Sequence, residues 1–197
     1  MAKSYSLFTD SDIRALGIEI VYATLFQNET MPTVEISDWL QTTLSKNLKR
    51  PLASEKAKSE HIIAPILSDL QDQNPSFTYF SGYNFEVDKK LGLTGFCDFI
   101  MSKKSNSVYI EAPIFAVVEA KNADIDAGVP QCIAELHASK IFNERQKNEL
   151  PLLYGTVTTG FDWRFILLKD NVAYVDTEIY TIKNLPELFR ILQFIVT

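Results

Sequence analysis

Some stretches of the chain repeat their apolar residues at every second position and others at every third or fourth, which predicts a mixture of strands and helices. Ser37 can cap a helix over residues 38–48, and a second helix follows over 55–70. Asn74-Pro75-Ser76 breaks the chain before strands expected at 77–87, 94–101 and 113–120. A helix over about 126–143 comes next, with acids early and Lys140 and Arg145 late, as the helix macrodipole favours. Strands follow at 152–158, 163–169 and 172–180, and Asp170-Asn171 marks a tight turn between the last two. Residues 185–195 close the chain as an amphipathic helix with Pro186 in its first turn. The stretch 10–27 is apolar but interrupted by Gly17, and its pattern fits neither period.

The strands at 94–101 and 113–120 carry charge where an apolar run should not. The first reads Gly95-Phe96-Cys97-Asp98-Phe99-Ile100 and the second Phe115-Ala116-Val117-Val118-Glu119-Ala120-Lys121. Residues two apart on a strand share a face, so Glu119 and Lys121 point the same way and Asp98 lies on the face of Phe96 and Ile100. Charge at the end of a doubly buried strand is costly unless it is paired or bound to metal. The polar segment Ser102-Lys103-Lys104-Ser105-Asn106-Ser107 suits a hairpin, which would bring Asp98 beside Glu119.

Asp98 followed by Glu119-Ala120-Lys121 on the next strand resembles the PD-(D/E)XK nuclease superfamily. The tripeptide alone is weak, since two acid-x-Lys matches occur and chance gives about that many. The other, Asp88-Lys89-Lys90, sits in a charged stretch before Gly92 and reads as a solvated turn. Context sets the Glu119 match apart: hairpin, apolar strand and following helix. The resemblance implies an α/β (α+β) fold with a restriction-endonuclease-like core, a central mixed β-sheet flanked by helices in αβββαβ order. That core would span about residues 54–170 of a single domain over 1–197, with an N-terminal helical extension and a C-terminal hairpin plus helix.

The superfamily also supplies an acid from a helix ahead of the sheet, and Glu60 matches it. Helical spacing places Glu60 on the stripe of Ile63 and Leu67, facing the core, although Pro65 should kink that helix. Gln131 matches a glutamine found on the helix after the motif strand. Two departures stand out: Glu135 where a tyrosine often follows, and Cys97 where a proline often precedes the first acid. The resemblance implies Mg2+, with Mn2+ as a substitute, held by Asp98, Glu119, the supplementary Glu60 and the Ala120 carbonyl. Hard cations of this kind prefer oxygen ligands. Lys121 would orient water and neutralise charge developing on the phosphate, acting as a base only if burial lowered its pKa. Catalysis would then rest on Asp98, Glu119, Lys121 and Gln131.

Composition restricts the alternatives. At 197 residues and 46% hydrophobic, the chain can build one substantial core. No apolar run reaches the roughly 18 residues of a membrane span, and the start at Met1 lacks a signal-peptide pattern, so a cytoplasmic protein without membrane attachment is expected. Cys97 and Cys132 are too few for a disulfide framework, and His61 and His137 have no ligand partner at sensible spacing. A net charge of −6 argues weakly against nucleic acid, yet Lys46, Lys49, Arg50, Lys56 and Lys58 cluster ahead of Glu60 as either a solvated face or a phosphate-contact patch. The reading is therefore a metal-dependent nuclease acting on DNA, with the oligomeric state open and a homodimer included. The alternatives are a catalytically silent nucleic-acid-binding or interaction domain of the same fold, and an unrelated α/β protein binding a small anion.

Overall fold

Among the described residues, seven of the eight strands form one continuous path of a mixed sheet, flanked on both faces by helices. The computed structural model describes residues 3–27 and 31–197; Met1 and Ala2, part of the start expected to lack a signal-peptide pattern, lie outside them. The chain enters through α1 (Asp10–Ala15) and β1 (Glu19–Ala23), continues through α2 (Asp38–Asn47), and reaches α3 (Glu55–Lys58). A π-helical turn at Ser59–Ile63 joins α3 to α4 (Ala64–Gln73). Strands β2 (Thr78–Asn84), β3 (Phe96–Ser102) and β4 (Ile114–Ala120) form an antiparallel meander. Helix α5 (Val129–Arg145) then crosses over to β5 (Leu152–Thr158), which lies parallel to β4. Antiparallel strands β6 (Asp162–Lys169) and β7 (Val172–Asp176) follow, then β8 (Tyr180–Thr181) beside β6, and α6 (Leu185–Val196) ends the fold.

Strand order is β1-β7-β6-β5-β4-β3-β2. Every residue of β4 is buried, which explains its unbroken apolar run. Its residues serve two cores, alternating between them from Ala116 onward. Val117 packs with Cys132, Ile133 and Leu136 of α5. Val118 and Phe115 pack with Ile66 and Leu67 of α4 and with Phe189 of α6 on the other side. Glu119 shares the face of Val117, so the fold aims its carboxylate at α5.

Several expectations need correction. The ambiguous N-terminal stretch is more than a helical extension, because Gly17 at φ +79 turns the chain from α1 into β1, which pairs in parallel with β7. The last long strand stops at Asp176 and resumes as β8. Pro65 does not simply kink a helix. It has no N–H for the carbonyl of His61, and the Asn47 side-chain amide donates to that oxygen instead at 2.8 Å. The π-helical turn just before Pro65 absorbs the mismatch and rotates the residues ahead of it.

Asn143 anchors α5 to the start of β4. Its Oδ1 accepts from the Ile114 N–H at 2.7 Å and its Nδ2 donates to the Ile114 carbonyl at 2.6 Å, as a neighbouring strand would. Asn143→Leu leaves two backbone groups buried and unpaired, and is expected to lower unfolding stability by about 2–4 kcal/mol in a urea titration.

Candidate active site

The meander ladder ends where the buried charged residues begin. After a register shift between Ser102 and Met101, regular β3–β4 pairing runs from Met101 to Phe99, opposite Val118. One residue on, Asp98 uses its side chain rather than its backbone, and Oδ2 accepts from the Ala120 N–H at 2.8 Å. Cys97 packs in the same core as Ile100, and Phe99 in the opposite one, so strict alternation breaks at Asp98. The expectation that Asp98 simply shares the face of Ile100 is thus replaced by a strand end bent to bring the carboxylate against β4.

Lys121 continues the line of β4, its N–H donating to the Thr158 carbonyl at 2.8 Å. Its side chain folds back as alternation predicts, placing Nζ 2.5 Å from Glu119 Oε1 and 2.9 Å from Gln131 Oε1. Gln131 in turn donates from Nε2 to Glu135 Oε1 at 3.0 Å. Gly128 leaves room for this arrangement, because a Cβ there would lie 3.0 Å from Lys121 Cε and 2.5 Å from Val157 Cγ1. Glu119 is 3% exposed and Lys121 is 21% exposed, so the ammonium forms the solvent side of the site.

Burial acts strongly on these acids. It pushes Glu119 up, the neighbouring Asp98 charge adds to this, and Lys121 only partly offsets them, leaving the carboxyl at about 8. Asp98 is also raised by burial, against the pull of the Ala120 N–H and Lys121. Glu135 is fully buried and lies well above the ordinary carboxyl range, through burial and then the charge of Glu119. Glu119 Oε2 and Glu135 Oε2 have no donor of their own. Direct interaction between the two carboxyl groups lowers Glu119 and raises Glu135. For Lys121, burial works against the charge, but the charge and hydrogen bond of Glu119, then the charges of Glu55 and Asp98, outweigh it and leave the amine raised. Lys121 is therefore held as an ammonium at neutral pH and shows none of the lowering that a base role would need.

Asp98, Glu119, Lys121 and Gln131 thus come together, whereas Glu60 does not join them. It is exposed and pairs with Lys56 at 3.0 Å, because the π-helical turn takes it off the apolar stripe. The acid of this region whose charge reaches Lys121 is Glu55, in the first turn of α3, where Ser54 caps Ala57 N–H at 3.1 Å. Lys58 ties the same helix to the segment after Lys121 by donating to the Asn122 carbonyl. Glu55 and Glu135 are the two members of the site that the motif did not reveal. The 131/135 spacing on α5 was a legible signal for the second. Cys97 and Cys132 are both free and buried.

Among the described residues, no group of three or more His, Cys, Asp or Glu side chains is arranged to hold a metal ion. The donor set still fits a hard divalent cation in part: two adjacent carboxylates, one with a buried oxygen lacking any donor, beside a backbone carbonyl at Ala120. No helix among the described residues is long and apolar enough to cross a membrane. No protein-family model matches the chain, and no curated protein compared with it matches either.

Proposed function

We propose that this protein is a metal-dependent nuclease of the PD-(D/E)XK type, hydrolysing DNA phosphodiester bonds. The observation that carries this reading is the convergence of Asp98, Glu119 and the Lys121 ammonium at the ends of neighbouring strands, with Gln131 on the crossover helix touching Lys121. The succession of a helix, an antiparallel meander, a crossover helix and a parallel strand supports the reading.

In this reading Asp98 and Glu119 hold the divalent ion, Mg2+ or its substitute Mn2+, with the Ala120 carbonyl as a further oxygen. The bound ion supplies Lewis acidity toward the phosphate and lowers the pKa of water. Glu119 must give up its proton to serve, which the cation's charge favours. Lys121, held between Glu119 and Gln131, donates hydrogen bonds toward the attacking water and the phosphate oxygens and stabilises negative charge as it develops. Exposed Lys46, Lys49 and Arg50 form no ion pair among the described residues and offer phosphate contacts beside α3, despite the acidic whole.

Incubation of the purified chain with labelled single-stranded and duplex DNA in Mg2+, Mn2+ or EDTA tests this reading. Cutting that needs the metal is the expected result. Salt-sensitive DNA binding without cutting under any metal would favour the silent binding domain.

A further inference from the structure

Glu135 is entirely buried on α5, and the proposed chemistry gives it no contact with substrate. Its Oε1 accepts from Gln131 Nε2 at 3.0 Å. That oxygen is a pure acceptor when the group is ionised and also when its proton sits on Oε2, and it then turns the NH2 end of the Gln131 amide toward itself. The NH2 group must face Glu135, and the carbonyl oxygen must then face Lys121 Nζ, 2.9 Å away. The opposite flip would set an NH2 against an ammonium and an oxygen against a carboxyl oxygen, two repulsive contacts in place of two hydrogen bonds. Ser139 bonds the Glu135 carbonyl at 2.8 Å, and Cys132 and Leu136 pack fully buried on either side, so the helix here has little freedom to relax.

We propose that Glu135 is a positioning residue, which locks the Gln131 amide so that its carbonyl and Glu119 Oε1 hold the Lys121 ammonium between them. This rests on the nuclease reading for the role of Lys121, while the orientation of Gln131 is a property of the metal-free chain and can be measured separately. Glu135 accepts at Oε1 when ionised and also when its proton sits on Oε2, so the lock does not require one charge state.

The test compares the wild type with Glu135→Met, which fills the space without an acceptor, and Glu135→Gln, which keeps one. In the metal-free wild type, the side-chain amide protons of Gln131 should exchange slowly with solvent by NMR. In Glu135→Met they should exchange faster, and kcat for metal-dependent DNA cutting should fall ~10- to 100-fold with KM little changed. Glu135→Gln should recover most of that loss. A Glu135→Met protein with wild-type Gln131 exchange and wild-type kcat would overturn the proposal. If the Met variant does not fold, the wild-type spectrum decides alone, since rapid exchange of the Gln131 amide would exclude the lock. A wild type that cuts nothing would count against the nuclease reading and leave the exchange measurement to judge the lock.

Discussion

Glu119→Gln is expected to abolish metal-dependent cutting and, at the same time, to make the metal-free protein more stable at pH 8 and above. The two effects share a cause. In the folded chain the Glu119 carboxyl ionises only at about 8, against an ordinary value of 4.5. Between those values the unfolded chain has released this proton and the folded chain still holds it. Stability therefore declines as pH rises through that window, and is unaffected by this group below it and level above it. Glutamine copies the shape of the protonated acid and cannot ionise. The variant should match the wild type near pH 4 and exceed it above pH 8 by on the order of a few kcal/mol. Asp98 and Glu135 are raised as well and leave some slope in the variant. Urea midpoints across this pH range provide the measurement, and parallel curves for the two proteins would contradict the account of Glu119. This is the stability cost of keeping an ionisable acid buried under α5.

The second large effect is stabilisation by the cation. A ligand at a hundredfold excess over its Kd adds about 2.7 kcal/mol. For a chain of this length that corresponds to a rise in Tm of about 5–10 °C. The rise should be greater at pH 8.5 than at pH 6, because below about 8 the cation must displace the proton on Glu119. Affinity should then weaken by up to about tenfold per pH unit. Asp98→Asn should remove most of the shift. Thermal scans with Mn2+ and Mg2+ at the two pH values measure it, and a shift of equal size in Asp98→Asn would place the ion elsewhere.

Much of this site was legible because it rests on local pattern. Alternation alone put Glu119 and Lys121 on one side of β4, and the 2.5 Å contact between them follows from it. The polar segment after β3 announced the hairpin that brings Asp98 alongside. What failed were the places where regular geometry gives way. Reading Glu60 as core-facing assumed an uninterrupted 3.6-residue period, and the π-helical turn at Ser59–Ile63 removes that assumption. Pro65 was the visible warning, but the partner of the orphaned His61 carbonyl lies on α2 and has no signature near the proline. Asp98 was placed by alternation, whereas its carboxylate substitutes for the next ladder bond. β1 was hidden for another reason: it is short, half-buried, and pairs with β7 about 150 residues away, so only tertiary packing makes it a strand. Glu135 drew attention only as a departure from a tyrosine, although Gln131 four residues earlier on the same helix already pointed to a buried pair.

The central claim is that Lys121 supplies charge to a phosphodiester cleavage centred on Asp98 and Glu119. The most direct measurement is cleavage of labelled single- and double-stranded DNA by the wild type and by Lys121→Ala, in Mn2+, Mg2+ or EDTA, with Mn2+ binding followed in both. The account predicts that the wild type cuts with either ion and not with EDTA. It also predicts that Lys121→Ala still binds Mn2+ yet cuts about 10²–10³-fold more slowly. Equal metal-dependent cutting by both proteins, or none by the wild type, would contradict it.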